Sequence, residues 1–344
     1  MKVLIVTNNL YPEIGGPYNV ISSTVEQILK NSKIKTRLLV NYNGKSKSNA
    51  SIIETIKNFD VVHYLGGWDF FHIKVSIICF LFKKKLIITP MGIYEPWSLN
   101  QKKLKKKLAL FFYQKKILNK CDAIHTTSHV ESENLKKITN NSNIIKIAHG
   151  IEKNDNQGEK FFFQNKKKKA LFFSRIHKKK GILDLVSTWK KINPIDWDLH
   201  IYGPDYDGYK KRIDEIKDNI NSIYIHDAIF DEKKKIKIFQ NCDLFILPSK
   251  SENFGYVILE SLNCGLPVMT TTKTPWKEIE EQNAGWIIND SASDLENKLE
   301  KILLISKEEL KEKSNNALKL SKKYLWKNLL DEYILLYKKV INND

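Results

Sequence analysis

The chain has 344 residues, 42% of them apolar, and 57 basic against 39 acidic side chains give a formal charge of +18. That length and apolar content exclude wholesale disorder and predict two domains or one large α/β unit. Only Arg37, Arg175 and Arg212 are arginines, leaving 57 − 3 = 54 lysines. The charge therefore reads as the lysine bias of an AT-rich coding sequence; a grip on nucleic acid would favour arginine's bidentate contacts.

The start, MKVLIVTNN, holds too few apolar residues in a row for a signal-peptide core. The first half alternates short apolar runs with stretches whose apolar residues recur every three or four positions. The runs are Val3–Thr7, Arg37–Val40, Val61–Tyr64, Leu86–Thr89, Ala123–Thr126 and Asn143–Ala148; the helical stretches include Tyr18–Leu29 and Leu104–Leu118. Runs without polar alternation, separated by helices, are what a parallel sheet covered on both faces requires. The longest apolar run, Val75–Phe82 broken by Ser76, cannot cross a bilayer, so a soluble or membrane-surface protein is expected.

Residues 152–168 are polar and lysine-rich and read as a connection. The alternation then restarts, with strands expected at Ala170–Phe173, Asp198–Tyr202, Ile223–Ile225, Leu244–Leu247, Pro267–Thr270 and Gly285–Ile288. Helices are expected at Ile182–Lys191, Gly208–Asn219, Glu232–Asn241 and Tyr256–Asn263, and an amphipathic one over Leu325–Val340 must bury its stripe on one of the halves. Domains of 1–151 and 169–324, a connection over 152–168 and a terminal helix over 325–344 follow. The four cysteines, Cys79, Cys121, Cys242 and Cys264, lie in or beside apolar stretches with no C-x-x-C pair, as reduced, buried thiols of a cytoplasmic protein would.

In open α/β sheets ligands lie beyond the carboxyl ends of the strands, so loops that follow strands carry the chemistry. Asn8–Pro17 includes Gly15 and Gly16 at a helix start, which suits close approach of an anion or sugar and equally suits a tight turn. Ser174–Gly181 places Arg175 and Lys180 between a strand and a helix, where a guanidinium gives planar recognition of phosphate. In Pro248–Glu260 a polar loop carrying Glu252 enters an apolar helix carrying Glu260. A carboxylate among Val257, Ile258 and Leu259 either faces solvent or needs hydrogen-bonding partners, which ribose hydroxyls would supply.

The E-x7-E spacing of Glu252 and Glu260, framed by Arg175 and Lys180 and by Cys264–Glu278, resembles the signature of retaining glycosyltransferases of family 4. Gly15-Gly16 matches that family's N-terminal glycine loop, and Thr89–Trp97 with Gln101–Ser128 looks like its bacterial polysaccharide-assembly subgroup. The resemblance implies the GT-B fold: two Rossmann-like domains, N-terminal for the acceptor and C-terminal for the nucleotide-sugar, facing across a cleft, with the last helix crossing back to the first domain. It implies transfer of a sugar, from a UDP-sugar on family frequency, to a saccharide or polyprenyl-linked saccharide in capsule, O-antigen, lipopolysaccharide or exopolysaccharide synthesis, with no further cofactor and no metal.

By the same resemblance, Arg175 and Lys180 would neutralise the donor diphosphate and Glu260 would accept from the ribose hydroxyls. Glu252 would contact the transferred sugar, and the N–H groups of Asn253, Phe254, Gly255 and Tyr256 would lie on the sugar and phosphates. Gly16 would let backbone approach the diphosphate, and Ala228 and Ile229 would hold the base. Met91 stands where many members carry a catalytic His, a departure that leaves His63 and His149 either lining the acceptor cleft or serving as satisfied structural groups.

Three other readings are weaker. Asp196-Trp197-Asp198 and Asp205-Tyr206-Asp207 have the D-x-D form of a metal motif but read as surface turns. A basic nucleic-acid-binding protein would need a reader motif, and a dinucleotide oxidoreductase would need a glycine fingerprint; neither is found. Separately, Lys102–Lys116 with Leu104, Leu108, Phe111 and Phe112 reads as a basic amphipathic helix, with its apolar side on the sheet or on an anionic membrane at the inner face of the cytoplasmic membrane.

Overall fold

The computed structural model describes residues 1–8, 10, 16–30, 33–41, 49–154, 167–218 and 220–342. The chain forms two units, Met1–Gly150 together with Trp326–Asp344, and Ile151–Leu325. The first unit runs β1 (Lys2–Thr7), α1 (Gly16–Lys30), β2 (Lys35–Val40), α2 (Asn49–Lys57), β3 (Val61–Leu65), α3 (Phe70–Leu81) and β4 (Lys85–Thr89). It continues through α4 (Pro96–Asn100), α5 (Lys103–Ala109), a π turn (Leu110–Gln114), α6 (Lys115–Lys120), β5 (Ala123–Thr126), α7 (His129–Lys136) and β6 (Ile144–Lys146). Its sheet is parallel throughout, in the order β2-β1-β3-β4-β5-β6.

Side-chain alternation along each strand explains the unbroken apolar runs. Val3 and Ile5 face one core, with Ile21, Val25 and Ile28 of α1, while Leu4 and Val6 face another, with Ile52, Ile56 and α3's Val75. Asp69 caps α3 by accepting the His72 N–H at 2.7 Å, and Ser128 caps α7 by accepting the Glu131 N–H at 3.1 Å.

The second unit runs β7 (Lys168–Phe173), a 3-10 turn (Lys178–Lys180), α8 (Ile182–Ile192), β8 (Trp197–Tyr202), α9 (Tyr209–Lys217), β9 (Ile223–His226), α10 (Glu232–Gln240) and β10 (Leu244–Leu247). Then come α11 (Tyr256–Asn263), β11 (Val268–Thr271), α12 (Glu278–Glu281), β12 (Gly285–Ile288), α13 (Ala292–Leu303), α14 (Lys307–Ser321) and a second 3-10 turn (Lys322–Tyr324). This sheet too is parallel, in the order β12-β11-β10-β7-β8-β9. Of the expected connection over 152–168, residues 155–166 lie outside the described residues, and β7 already begins at Lys168. Asp198 lies within β8 and pairs with Lys167 at 3.3 Å, so it is not in the surface turn expected of it.

The last helix, α15 (Trp326–Asn342), belongs to the first unit. Its Tyr333, Ile334, Tyr337 and Val340 fill the α1-side core. The Trp326 indole lies flat against Gly150, where a Cβ would come within 2.4 Å of the ring, and its Nε1–H donates to Ser23 Oγ at 2.8 Å. Among the described residues no helix is long and apolar enough to cross a membrane. Cys79, Cys121 and Cys242 are buried and outside any disulfide among the described residues, whereas Cys264 is only half-buried.

A directed hydrogen-bond chain ties α15 to the sheet. The Ile147 carbonyl can only accept, so His125 Nε2–H donates to it at 2.9 Å and His125 Nδ1 accepts from the Thr89 hydroxyl at 2.8 Å. Thr89 Oγ1 then accepts from His63 Nε2–H at 2.6 Å, and His63 Nδ1 accepts from the Tyr337 hydroxyl at 2.9 Å. The two links in which Nδ1 accepts require neutral imidazoles. Burial keeps them so, pushing His125 down to about 4 and His149, behind it, to about 3, and holding His63 well below its usual range.

Two outcomes follow. Tyr337→Phe leaves His63 Nδ1 buried without its donor and should cost about 1–3 kcal/mol in urea unfolding; a loss below about 0.5 kcal/mol would contradict the bond's role. Above about pH 6.5 the histidines are neutral whether folded or unfolded, but below it the unfolded chain takes up protons that the folded one refuses. Stability should therefore fall as pH drops from about 6.5 towards about 4, by up to about 1.4 kcal/mol per pH unit for each such histidine. A flat stability profile across that window would refute neutral burial.

Candidate functional site

The loops after β7, β9 and β10 of the second unit, with helix α11, hold the residues singled out in its sequence. After β7 the chain turns through Arg175 into the 3-10 turn ending at Lys180, and Gly181 then starts α8 with φ +69°. A Cβ there would sit 2.0 Å from the Pro248 carbonyl oxygen, so only glycine lets this turn rest against the end of β10. The two loops are further joined by Lys250 N–H donating to the Lys179 carbonyl at 2.8 Å.

That closeness brings Lys180 onto Glu252. Lys180 Nζ donates to Glu252 Oε1, and the Ser249 hydroxyl reaches the same oxygen at 2.9 Å. Both charged side chains are nearly buried. Burial works against the Glu252 charge, yet Lys180, then Lys179 and the Ser249 hydroxyl, outweigh it and hold the carboxyl below its usual range. Glu252 N–H also donates to the Lys273 carbonyl at 3.2 Å, fixing this loop to the one after β11. Phe254 is buried edge-on to Trp276 with centroids 5.2 Å apart; the Trp276 Nε1–H donates to the Phe254 carbonyl, and Gly255 leads into α11 at Tyr256.

Glu260 does not face solvent. Its side chain is 12% exposed and accepts from Lys235 Nζ of α10 at 2.6 Å; the same ammonium reaches Glu232 Oε1 at 2.6 Å. Burial disfavours the Lys235 charge, but Glu260 and Glu232 outweigh it and hold the ammonium above its ordinary range. Lys235 is absent from the sequence reading. Its spacing to Glu232 on one helix turn was visible, whereas its meeting with Glu260, on a helix beyond the next strand, was not.

Arg175 is exposed and makes no ion pair or hydrogen bond among the described residues. Ala228 and Ile229 are half-buried in the stretch after β9. In the second D-x-D segment Asp205 accepts N–H bonds from Tyr209 at 2.9 Å and Lys210 at 2.8 Å, which is the work of a helix start. Gly15 lies outside the described residues, and Gly16 opens α1.

In the first unit Met91, His63 and His149 do meet, with Thr89, His125 and Tyr333, around a cavity of about 10 Å³. That is room for about one water and not for a sugar. Of the two readings of His63, the satisfied structural group is the one its bonding matches, because both its ring nitrogens are bonded inside the sheet. Met91 adopts φ +57°, and the next residue's N–H, at Gly92, donates to the buried Glu131 carboxylate at 2.7 Å.

Residues 153–320 match the family model of glycosyl transferases, group 1. An uncharacterized 41.2 kDa protein in the cps region of Klebsiella pneumoniae is 27% identical over 69% of this chain and 68% of its own. The GDP-mannose:cellobiosyl-diphosphopolyprenol alpha-mannosyltransferase of Xanthomonas oryzae is 20% identical over 97% of this chain and 96% of its own. Among solved structures, Anabaena Alr3699/HepE in complex with UDP and glucose superposes with a TM-score of 0.77 at 15% identity, covering 98% of this chain and all of that one. The fold is thus GT-B, as the motifs implied, and the matched segment contains Arg175, Lys180, Glu252 and Glu260.

The buried Lys235–Glu260 pair gives a direct check. Lys235→Leu strands a largely buried carboxylate and should cost about 3 kcal/mol in urea unfolding, while adding Glu260→Gln should restore most of it. A single variant that loses less than about 1 kcal/mol would show that Lys235 does not hold Glu260.

Proposed function

Starting from a glycosyltransferase group 1 segment on a GT-B fold, we propose that the protein is a retaining, metal-independent enzyme that transfers a sugar from a UDP-sugar to a lipid-linked saccharide. The observation that carries this reading is the buried Lys180–Glu252 pair, set by Gly181 against the end of β10, with Arg175's exposed guanidinium five residues earlier on the same loop as Lys180. Two cations beside the carboxyl ends of parallel strands suit a diphosphate, and they supply the positive charge a leaving nucleotide otherwise takes from a divalent ion.

In this reading Arg175 clamps the diphosphate with its planar fork. Lys180, which has three N–H donors, bonds phosphate while keeping Glu252. Glu260, held in place by Lys235, accepts from the ribose hydroxyls, and Ala228 and Ile229 flank the base. Glu252 accepts from a hydroxyl of the transferred sugar, and the start of α11 at Asn253–Tyr256 adds its N–H dipoles to the sugar and phosphates. The acceptor hydroxyl attacks the anomeric carbon from the face that the phosphate leaves. The carbon–oxygen bond to the β-phosphate breaks, the acceptor's proton passes to that phosphate oxygen, and the nucleoside diphosphate departs.

The relatives support the acceptor class and setting. One acts on a diphosphopolyprenol-linked saccharide and another lies in a cps region, which favours capsule-type polysaccharide synthesis at the cytoplasmic face of a membrane. UDP held by a protein of the same fold supports the donor, against the GDP-mannose of the Xanthomonas relative.

Calorimetry with UDP-, GDP- and ADP-sugars separates these. A UDP-sugar should bind tightest, and Arg175→Ala and Glu260→Ala should each weaken it at least about tenfold, or about 1.4 kcal/mol. Turnover should survive a chelator, and the product should keep the donor's anomeric configuration by proton NMR. If no nucleotide sugar binds, or if both variants bind as the parent does, the assignment fails.

A further inference from the structure

The lysine-rich stretch after β4 folds as α5, the π turn and α6. Gln114, Ile117 and Leu118 turn into the core, but Leu104 (78% exposed), Leu108, Phe111 (76%) and Phe112 face outward. Phe111 and Phe112 lie within the π turn, both exposed, with ring centroids 5.3 Å apart and nearly perpendicular. Part of the apolar side of this stretch, Leu110, Tyr113, Ile117 and Leu118, packs on the core, and Leu104, Leu108, Phe111 and Phe112 are left outside it.

Helix α3 runs alongside in the same direction. The Lys106 ammonium lies 5.6 Å from the Trp68 ring, just before α3 begins, and Lys120 lies 4.7 Å from the Phe80 ring near its end. Along α3, Phe70 (89% exposed), Ile77 and Leu81 form a second outward stripe, at a spacing that keeps them on one helix face. From Phe70 to Cys121 there are twelve lysines and a single carboxylate. That carboxylate, Glu95, is buried and accepts from the Asn134 amide at 2.7 Å.

We propose that α3 and the α5–α6 stretch together form an interfacial surface for an anionic lipid bilayer. Phe70, Ile77, Leu81, Leu104, Phe111 and Phe112 enter the boundary between headgroups and acyl chains, and the flanking lysines meet lipid phosphates. A second copy of this chain is the poorer occupant, because it would bring the same excess of lysine over carboxylate to the apolar contact. The surface stands on its own geometry; only its purpose, keeping the enzyme at a lipid-linked acceptor, rests on the proposed function.

Sedimentation of the full chain with phosphatidylcholine vesicles, with or without phosphatidylglycerol, tests this, with nucleotide-sugar binding measured on the same samples. Binding should require phosphatidylglycerol and weaken at least about tenfold between low salt and about 0.5 M. Phe111→Ser with Phe112→Ser, and separately Phe70→Ser with Leu81→Ser, should each weaken it at least about tenfold at low salt. Absence of vesicle binding overturns the proposal. So does parental binding by the Phe70→Ser, Leu81→Ser variant, since α3 would then take no part, or retention by both variants, since that is adsorption by charge alone. Self-association that the same substitutions abolish assigns the face to a second copy and also overturns it. Vesicle binding without nucleotide-sugar binding removes the enzyme reading and keeps the surface; the converse removes the surface alone.

Discussion

A parallel sheet covered on both faces admits no water to its strands, so any polar side chain in a strand must find its partner inside. That constraint organises the first unit. His63, Thr89 and His125 stand on the neighbouring strands β3, β4 and β5, and none can bond solvent. Their chain must therefore end on groups outside the strands, and it does, at the Ile147 carbonyl and the Tyr337 hydroxyl. Because one end can only accept, every proton in the chain has an assigned place. The C-terminal helix is thus selected by polarity as well as by packing: an apolar helix of the same shape would fill the core but leave His63 Nδ1 unbonded. Gly150 and Trp326 mark the complementary steric demand, a backbone bare enough for an indole to lie on it.

The second unit meets the same constraint where its strands end. Glu252 and Glu260 sit too deep to be charged alone, and each has a lysine within hydrogen-bonding reach. Such pairs gain little net stability, since desolvation consumes much of the attraction. What they give is placement, for a carboxylate fixed by an ammonium presents its remaining lone pairs in a set direction. Lys180 comes from the loop after β7 and Lys235 from α10, so the two carboxylates are positioned by different parts of the sheet's edge. Arg175, exposed and without an ion pair among the described residues, needs no such exchange before it can meet an anion.

Features that depend on neighbouring residues were legible in the sequence. Unbroken apolar runs gave the strands, glycine followed by a helical pattern gave the loop after β7, and the spacing of Glu252 and Glu260 carried the family likeness. Features that depend on distant residues were not. Nothing near Glu260 points to Lys235, twenty-five positions earlier, and nothing in VVHYLGG shows that His63 bonds a tyrosine 274 positions away. The continuous helix expected over Leu104–Leu118 hid the π turn, because a single inserted residue shifts the apolar period too little to be read from one stretch.

The excess of lysine also divides along these lines. Residues 70–121 are 52 of 344, about 15% of the chain, and hold 12 of the 54 lysines, about 22%. That enrichment is modest, and a compositional bias towards lysine accounts for most of it. The acidic residues behave differently: the same share of 39 would be about six (39 × 52/344), and there is one, turned inward. A coding bias that multiplies lysine gives no reason to remove aspartate and glutamate from one stretch of the first unit. Carboxylates stand at the edges of the stretch, Asp69 capping α3 and Asp122 3.6 Å from Lys85, but between them the lysines beside exposed Phe111 and Phe112 have no acidic neighbour in sequence except the buried Glu95. Depletion of acid, more than abundance of base, distinguishes this surface from the lysine background of the chain.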